Sequence, residues 1–408
     1  MRKFFLKNSI RYYLLIALGL VFLFLSNDFG TTDVQKTAIV VAAGIDRQED
    51  TFIVTSQVAI PQSSKQGKAS EAVQIVSRGK TVGEAFDEIN AKTGWYPKLV
   101  FCDLILFGES AKNADIFDAL DFFLRDEYLS HNCHLAVCNG TAKDLLNTTA
   151  LVDPSSSTAM KKVLSSHAER VGTVLPTTLR EFSIGYFSES NSGYLPILTT
   201  EPQQEKIGKN DREQPPSNSS DSGMNATTGD SGKSNENTDK PVFSARETAL
   251  FVGGKWVDTL NSNETFALAS VLSKLRLASY TLQDGANACT LNIRKNSPSI
   301  KLQTGNESPF TLQVNLNCTA GILDYSKSQP IDKIGDAGDI PKDCFAMAEK
   351  KLAEEIEGVY EKCKAVKCDL FGVRERLVKY GKRRFRTQGE NILANTRAQV
   401  SVRFKNIR

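Results

Sequence analysis

Hydrophobic and polar positions recur along the chain with two different periods, which predict strands and helices. Alternation with a period of two, or a short unbroken apolar run, predicts a strand, whereas apolar residues at every third or fourth position predict a helix. In the amino-terminal half, strands are predicted at Thr37–Ile45, Thr51–Ile60, Leu99–Phe107 and His131–Cys138, and helices from Thr81, over Asn113–Arg125 and from Thr141. The polar residues 46–50 between the first two strands predict a hairpin.

The helix that begins at Thr81 carries its own start signal. Thr81 and Glu84 have the spacing of a capping box, in which a hydroxyl accepts from an exposed helix amide and a carboxylate reaches back. Val82, Phe86 and Ile89 then fall on one face, which predicts an amphipathic helix.

The carboxy-terminal part mixes strands and helices in the same way. Strands are predicted at Thr248–Val252, Lys255–Leu260, Phe310–Cys318 and Arg397–Phe404, and a long helix from about Asp343 to Lys367. Gly253 and Gly254 tolerate the positive φ angles of a two-residue hairpin turn. Asn263 is the expected cap of the helix that follows this hairpin. Hairpins mixed with helices predict an α+β fold of several mixed sheets rather than a wound βαβ domain.

An apolar run near the amino terminus predicts a membrane anchor. Tyr12 to Leu25 is free of charge, with four basic residues before it and Asp28 and Asp33 after it, so the amino terminus is expected inside and the rest exported. Fourteen residues span about 21 Å as a helix, which is short for a bilayer and suits a signal peptide. No small-x-small cleavage site follows, which favours an uncleaved anchor; a buried core helix is the alternative.

One stretch stands apart in composition. Residues 201–240 contain no aromatic residue and only three apolar ones, so burial cannot offset the entropy of ordering. The composition predicts a division of the 408-residue chain into an anchor segment at 1–27, an amino-terminal α+β region of one or two subdomains at 28–200, a disordered linker at 201–243 and a carboxy-terminal α+β domain at 244–408.

Several short blocks resemble, in the same order, those of the Ger(x)C family, the C subunits of bacterial spore nutrient germinant receptors. The blocks are Ala42–Asp46 with Thr55–Val58, Gly79–Ala85, Phe122–Asp126 with Lys143–Leu146, Leu195-Pro196, Ala249–Leu260 with Glu264-Thr265, and Asp369–Gly372. Each block alone is a cap, a turn or a strand that other folds also use. Their common order over about residues 37–404 makes the resemblance specific.

The chain departs from the family pattern at its membrane attachment. Members usually carry a cysteine for lipid attachment, followed by a tryptophan, directly after the apolar segment. Here Ser26, Asn27 and Asp28 occupy that window, Phe29 stands nearby, and Cys102 is the first cysteine. We therefore expect a transmembrane anchor in place of a lipid.

The sequence offers few candidates for catalysis or metal binding. It has three histidines, and no serine-hydrolase, metalloprotease or phosphate-loop motif occurs. The densest group of metal-ligating residue types is His131, Cys133, His134 and Cys138. On a strand, His131 and Cys133 point to one face and His134 and Cys138 to the other. This divergence favours an ordinary strand with buried cysteines and predicts neither a metal nor a cofactor.

Cys363 and Cys368, near the end of the long helix, have two interpretations. Cys363 falls on the apolar stripe of the helix, which favours core packing. A disulfide between the two cysteines is the alternative, because an exported protein can form one.

The carboxy-terminal tail is strongly basic, although the whole chain is nearly balanced with 50 basic and 47 acidic residues. From Phe371 to Arg408, eleven basic residues face two acidic ones. The charge is concentrated in Lys382, Arg383, Arg384 and Arg386. An exported domain meets no nucleic acid, so an acidic partner surface or anionic lipid headgroups are the expected contacts. A solvated helix face is the alternative.

The resemblance implies a non-enzymatic receptor subunit held at the extracytoplasmic face of the spore inner membrane. There it would work with an A subunit and a transporter-like B subunit, and assemble or couple the complex that turns nutrient sensing into germination. Two other classes stay open, an exported cell-envelope hydrolase and a soluble solute-binding protein. Two facing carboxylates, with Asp103, Asp121 and Asp126 as candidates, would favour the hydrolase, and a deep interdomain cleft would favour the solute-binding protein.

Overall fold

The computed structural model describes most of the chain. The described residues are 12–22, 37–59, 72–150, 153, 155–165, 172–201, 241–284, 287–303, 310–326, 342–381, 389 and 391–407. Residues 12–22 form the first helix, α1, and all of them are exposed. Within these ranges, no helix combines the length and the apolar composition needed to cross a membrane. The last three residues of the predicted anchor run, 23–25, lie outside the described residues.

A mixed sheet of ten strands forms the larger part of the described fold. Its strands are β1 (Thr37–Gln48), β2 (Thr51–Ala59), β3 (Ala72–Gly79), β4 (Tyr96–Lys98), β5 (Leu104–Phe107), β6 (His134–Cys138), β7 (Thr177–Thr178), β8 (Ser192–Glu201), β9 (Val242–Val252) and β10 (Lys255–Leu260). Their order is β10-β9-β8-β6-β5-β1-β2-β3, with β4 beside β1 and β7 beside β6. The predicted α+β class with mixed sheets is confirmed.

The central strands of this sheet give it two distinct edges. β1 runs parallel to both β4 and β5, and β5 runs parallel to β6. The amino ends of these strands therefore meet at one edge and their carboxyl ends at the other. We call these the amino edge and the carboxyl edge. Parallel neighbours need crossover connections, and each of these contains a helix, one between β3 and β4 and one between β5 and β6.

Five helices cover the two faces of the first sheet. On one face lie α2 (Val82–Thr93), α3 (Phe117–Arg125) and α6 (Leu179–Phe187), whose buried residues share one core with the strands. On the other face lie α4 (Ala142–Asn147) and α5 (Ser156–Val163), which pack around a smaller core. The predicted face of α2, formed by Val82, Phe86 and Ile89, is buried in the first core, as expected.

A second sheet of four strands follows in the order β11-β12-β13-β14. Its elements are β11 (Ala278–Asp284), β12 (Asn287–Gln303), β13 (Phe310–Ser326) and β14 (Thr396–Asn406), with helices α7 (Ser262–Val271), α8 (Lys342–Ala365) and α9 (Val373–Tyr380). The apolar stripe of α8, which includes Leu352, Ile356 and Val359, is buried in one core with Leu312 and Val314 of β13. The long helix and the two alternating strands predicted here are confirmed.

The change from the first sheet to the second comes after β10. β8 and β9 lie on either side of residues 202–240, yet they form one antiparallel ladder from Ser192 and Val252 to Glu201 and Val242. The hairpin of β9 and β10 therefore belongs to the first sheet. Its turn residues Gly253 and Gly254 have φ angles of 54° and 74°, as the predicted two-residue turn requires. The predicted linker, except for its ends, lies outside the described residues.

The prediction that Asn263 caps α7 is wrong. Asn261 is the cap, and its side chain accepts from the backbone N–H groups of Asn263 and Glu264, each at 3.0 Å. Glu264 returns a bond to the Asn261 N–H at 2.8 Å, which completes a capping box. At the start of α2, Thr81 is the cap as predicted, but Glu84 accepts from the Lys80 N–H instead of the Thr81 N–H.

Three predicted elements begin later than the sequence indicated. Leu99–Phe107 and His131–Cys138 contain strands only from Leu104 and His134 onward, because a turn precedes each strand. In these turns the N–H groups of Cys102 and Cys133 donate to backbone oxygens three residues earlier, each at 2.9 Å. In Asn113–Arg125, α3 begins only at Phe117, after a short 3-10 helix.

Candidate functional site

The basic cluster that the sequence singled out lies outside the described residues. The cluster consists of Lys382, Arg383, Arg384 and Arg386. It follows α9, which is fixed to the fold through Arg376. The Arg376 guanidinium donates to the backbone oxygens of Ile300 on β12, at 3.3 Å, and of Phe371, at 2.7 Å. The basic cluster therefore stays a predicted contact.

The histidines and cysteines around β6 do not converge on one point. His131 lies in the turn before the strand and is exposed. Cys133 lies in the core that the first sheet shares with α2, α3 and α6. Cys138 lies in the smaller core on the opposite face, so the predicted divergence of these two cysteines is confirmed. Burial lowers the pKa of His134. Among the described residues, no group of three His, Cys, Asp or Glu side chains could hold a metal ion.

All eight cysteines are buried and carry free thiols. Cys363 and Cys368 adjoin at the end of α8, where a hydrogen bond between their side chains, together with burial, raises the pKa of the Cys363 thiol. Cys102 and Cys133 form a second neighbouring pair before β5 and β6, and the same two causes raise the pKa of Cys133. The structure thus places Cys363 in the core as a thiol, the first of its two interpretations.

The three carboxylates considered for hydrolysis do not face one another. Asp103 is paired with Lys161, and Asp121 is paired with Arg125 at 2.8 Å. Asp126 accepts from two backbone N–H groups of the turn after α3, each at 2.9 Å. Each carboxylate thus has its own partner, and the three do not form the facing pair that acid–base hydrolysis requires.

A polar recess of about 520 Å³ opens at the carboxyl edge. Its lining includes Arg47, Ser110, Asn113, Asp115, Asp118 and Lys255. Arg47 donates to Asp118 at 3.1 Å, so part of its charge is already balanced. Burial raises the pKa of Asp115, whose carboxylate accepts the Phe117 N–H at 2.8 Å. These residues lie on β1, on β10, on α3 and between β5 and α3, so the recess belongs to the first sheet and does not lie between the two sheets.

Two buried aspartates fix the starts of helices, a role that the sequence analysis did not assign. Asp46, at the carboxyl end of β1, accepts the first two N–H groups of α4 at 2.8 and 3.1 Å. Asp369 accepts the N–H groups of Val373 and Arg374, both at 2.8 Å, and the Ser190 hydroxyl at 3.1 Å. Asp369 thereby joins α9 to the segment that leads into β8. Each aspartate lies in one of the blocks that carry the family resemblance, which is the signal that could have found it.

Five large apolar side chains are exposed together at the amino edge. They are Trp95 and Tyr96 at the start of β4, Val100 and Phe101 in the turn before β5, and Tyr128 in the loop before β6. Their exposed fractions run from 42% for Trp95 to 59% for Phe101. We call these five residues the aromatic edge. The Lys98 ammonium lies 4.5 Å from the ring centre of Tyr128 and thereby connects the end of β4 to the loop before β6.

Comparison with known protein families gives a match to each half of the chain. Residues 30–200 match the family described as "Spore germination protein N-terminal domain", and residues 246–408 match "Spore germination B3/ GerAC like, C-terminal". A curated relative, Spore germination protein B3 of Bacillus subtilis (strain 168), is 27% identical over 146 residues. That alignment covers 34% of this chain and 36% of the relative, so it spans about a third of the relative's length.

The fold is also similar to that of a solved structure. The crystal structure of the GerBC protein matches with a TM-score of 0.51 and 17% sequence identity. The match covers 90% of this chain and 97% of that one. The likeness therefore extends over both sheets and not only over one region.

Proposed function

The chain belongs to the Ger(x)C family of spore germination proteins, and on this basis we propose that it is the C subunit of a nutrient germinant receptor. Its role would be non-enzymatic: it assembles the receptor or couples nutrient sensing to spore germination. The observation that carries the proposal is the pair of family matches, which together take in nearly all residues of both sheets.

We further propose that the chain works at the extracytoplasmic face of the spore inner membrane, with A- and B-type membrane subunits as partners. The apolar run from Tyr12 to Leu25, with basic residues before it, supports an uncleaved anchor with this orientation. The basic cluster after α9 is a suitable contact for an acidic partner surface or anionic headgroups.

The arrangement of carboxylates supports a non-enzymatic role. Asp103 and Asp121 are engaged in ion pairs, and Asp126 ends a helix. Burial raises the pKa of Asp115 in the polar recess, which is the direction that favours an acid catalyst, but its neighbour Asp118 is held by Arg47. Asp115 is therefore the residue on which the hydrolase alternative can be tested.

The proposal can be tested in spores that lack this chain. We expect such spores to lose their germination response to at least one nutrient, and the wild-type chain to restore it. The Asp115→Asn variant should restore it equally well, because the recess has no catalytic duty. A normal nutrient response without the chain would contradict the receptor role, whereas failure of Asp115→Asn alone, with normal protein levels, would favour the hydrolase.

A further inference from the structure

We propose that the aromatic edge is a membrane-contact surface that lies against the phospholipid bilayer. The inference rests on the proposed anchoring of the chain by its amino-terminal apolar run, and it adds a second, folded contact. The bound partner is the lipid interface itself, and the contact residues are Trp95, Tyr96, Val100, Phe101 and Tyr128.

The first argument is that these five exposed side chains lie together, directly beside residues that are fully buried. Phe101 and Tyr128 are 59% and 56% exposed, while Leu99 and Cys102 on either side of the Val100–Phe101 pair are at most 2% exposed. Leu99 and Cys102 are also joined by a backbone hydrogen bond of 2.9 Å. The turn is thus fixed from inside, and it holds Phe101 outward. Clustered exposed apolar residues of this kind mark interaction sites.

The second argument is that three separate loops bring the residues to the same edge. β4, β5 and β6 are linked through parallel pairing with β1 and with one another, so the residues just before each strand lie at the amino edge. Trp95 precedes β4, Phe101 precedes β5 and Tyr128 precedes β6. Because the three strands belong to one sheet, the loops form a continuous rim.

The third argument is the path of the chain from its apolar run into the fold. β1 begins at Thr37, and Thr37 pairs with Tyr96, so the chain enters the sheet directly beside the aromatic edge. Fourteen residues separate α1 from β1, and they can span at most about 50 Å. The carboxyl edge lies about 40 Å further along the twelve residues of β1. The amino edge is therefore the nearer of the two edges to the point where the anchored chain enters the sheet.

The fourth argument is residue chemistry, which favours lipid over a protein surface. Tryptophan and tyrosine concentrate at the membrane–water interface, where the ring is apolar and the polar group stays hydrated. Lys98 fits the same environment, because its ammonium can reach the headgroups while its stem covers the Tyr128 ring. The aromatic edge thus combines interfacial aromatics with a basic group next to the point where the anchored chain enters.

The two tryptophans of the chain make a direct test possible. Trp95 belongs to the aromatic edge. The Trp256 indole N–H instead donates to the backbone oxygen of Asp258 at 2.9 Å, and its ring lies beside Lys112, after the carboxyl end of β5. The full chain is reconstituted into phosphatidylcholine–phosphatidylglycerol vesicles with and without brominated acyl chains, which quench nearby indoles. Trp256→Phe leaves Trp95 as the only tryptophan, and Trp95→Phe leaves Trp256 as the matched control.

We expect Trp256→Phe protein to lose most of its emission in brominated vesicles and Trp95→Phe protein to lose little. Adding Phe101→Ser to the Trp256→Phe variant should restore part of the Trp95 emission, because the aromatic edge then binds the lipid interface less strongly. Equal, weak quenching of both single-tryptophan proteins would overturn the inference.

Vesicle flotation distinguishes failure of this contact from failure of the proposed anchor. Protein that floats without Trp95 quenching retains the anchor but lacks the contact. Protein that does not float contradicts the proposed anchoring itself. Shielding of Trp95 only after A- and B-type subunits are added would assign the edge to a protein partner and also overturn the inference.

Discussion

Asp369→Ala should destabilise the chain more than the same substitution at an exposed aspartate. The Asp369 carboxylate is 3% exposed and accepts three hydrogen bonds, from the N–H groups of Val373 and Arg374 and from the Ser190 hydroxyl. The Asp369 N–H donates to the Ser192 hydroxyl at 2.8 Å. Removal of the side chain leaves two helix N–H groups and a buried hydroxyl without this acceptor.

The size of the effect follows from these bonds. A hydrogen bond to a charged group contributes roughly 1.5–3 kcal/mol, and a buried group left unpaired costs about 1–3 kcal/mol. The mutation also removes the cost of burying a carboxylate, which offsets part of the loss. We therefore expect the free energy of unfolding to fall by about 2–4 kcal/mol, less than the sum of three separate bonds.

The assay is urea unfolding of the full chain in detergent, followed by far-ultraviolet circular dichroism. The matched control is Asp121→Ala, which removes an ion pair whose two side chains are 55% and 77% exposed. Solvent screens exposed pairs of this kind and they contribute little to stability, so the control should stay close to the wild type. Equal unfolding midpoints for the two variants would refute the role assigned to Asp369.

Three further predictions concern a turn, a half-buried acid and the cysteines. Gly254→Ala should lower the free energy of unfolding by about 1–3 kcal/mol in urea titrations, because φ is 74° and a Cβ would collide with Asp115. The control is Gly358→Ala in α8, where a Cβ would meet nothing within 4 Å, and it should raise the free energy of unfolding by about 0.5–1 kcal/mol. Burial raises the pKa of Glu355 above 4.5, so the native state keeps this proton to higher pH than the unfolded chain and loses stability as pH rises through that window. In urea titrations, Glu355→Gln should therefore gain stability relative to the wild type as the pH is raised from 4.5, and a constant difference would contradict this. Alkylation of denatured, unreduced protein should add eight groups by mass spectrometry and alkylation of native protein none; fewer than eight would indicate a disulfide.

The elements that the sequence predicted well are those whose periodicity decides their own burial. The apolar stripe of α8 and the alternation in β13 and β14 each lie against one core, so local pattern and tertiary packing agree. The turn at Gly253 and Gly254 was predictable for a similar reason, since positive φ angles favour glycine at both positions.

The misses share a different cause. The apolar run at Leu99 begins five residues before the strand at Leu104, and periodicity cannot distinguish an apolar turn from a buried strand. Strand order is also absent from local patterns, so the pairing of β8 with β9 across forty sequence positions was not predictable. The aromatic edge was missed because Phe101 was assigned to a strand, although its side chain points outward from a turn.

The measurement that tests the central claim most directly is affinity capture of the tagged full chain from detergent-solubilised spore membranes, followed by mass spectrometry. The receptor role predicts that A- and B-type membrane subunits are recovered with it, together with an intact amino-terminal peptide containing Tyr12 to Leu25. An untagged strain is the control for nonspecific recovery. Recovery of the chain without these subunits, or its absence from spore membranes, would contradict the receptor role.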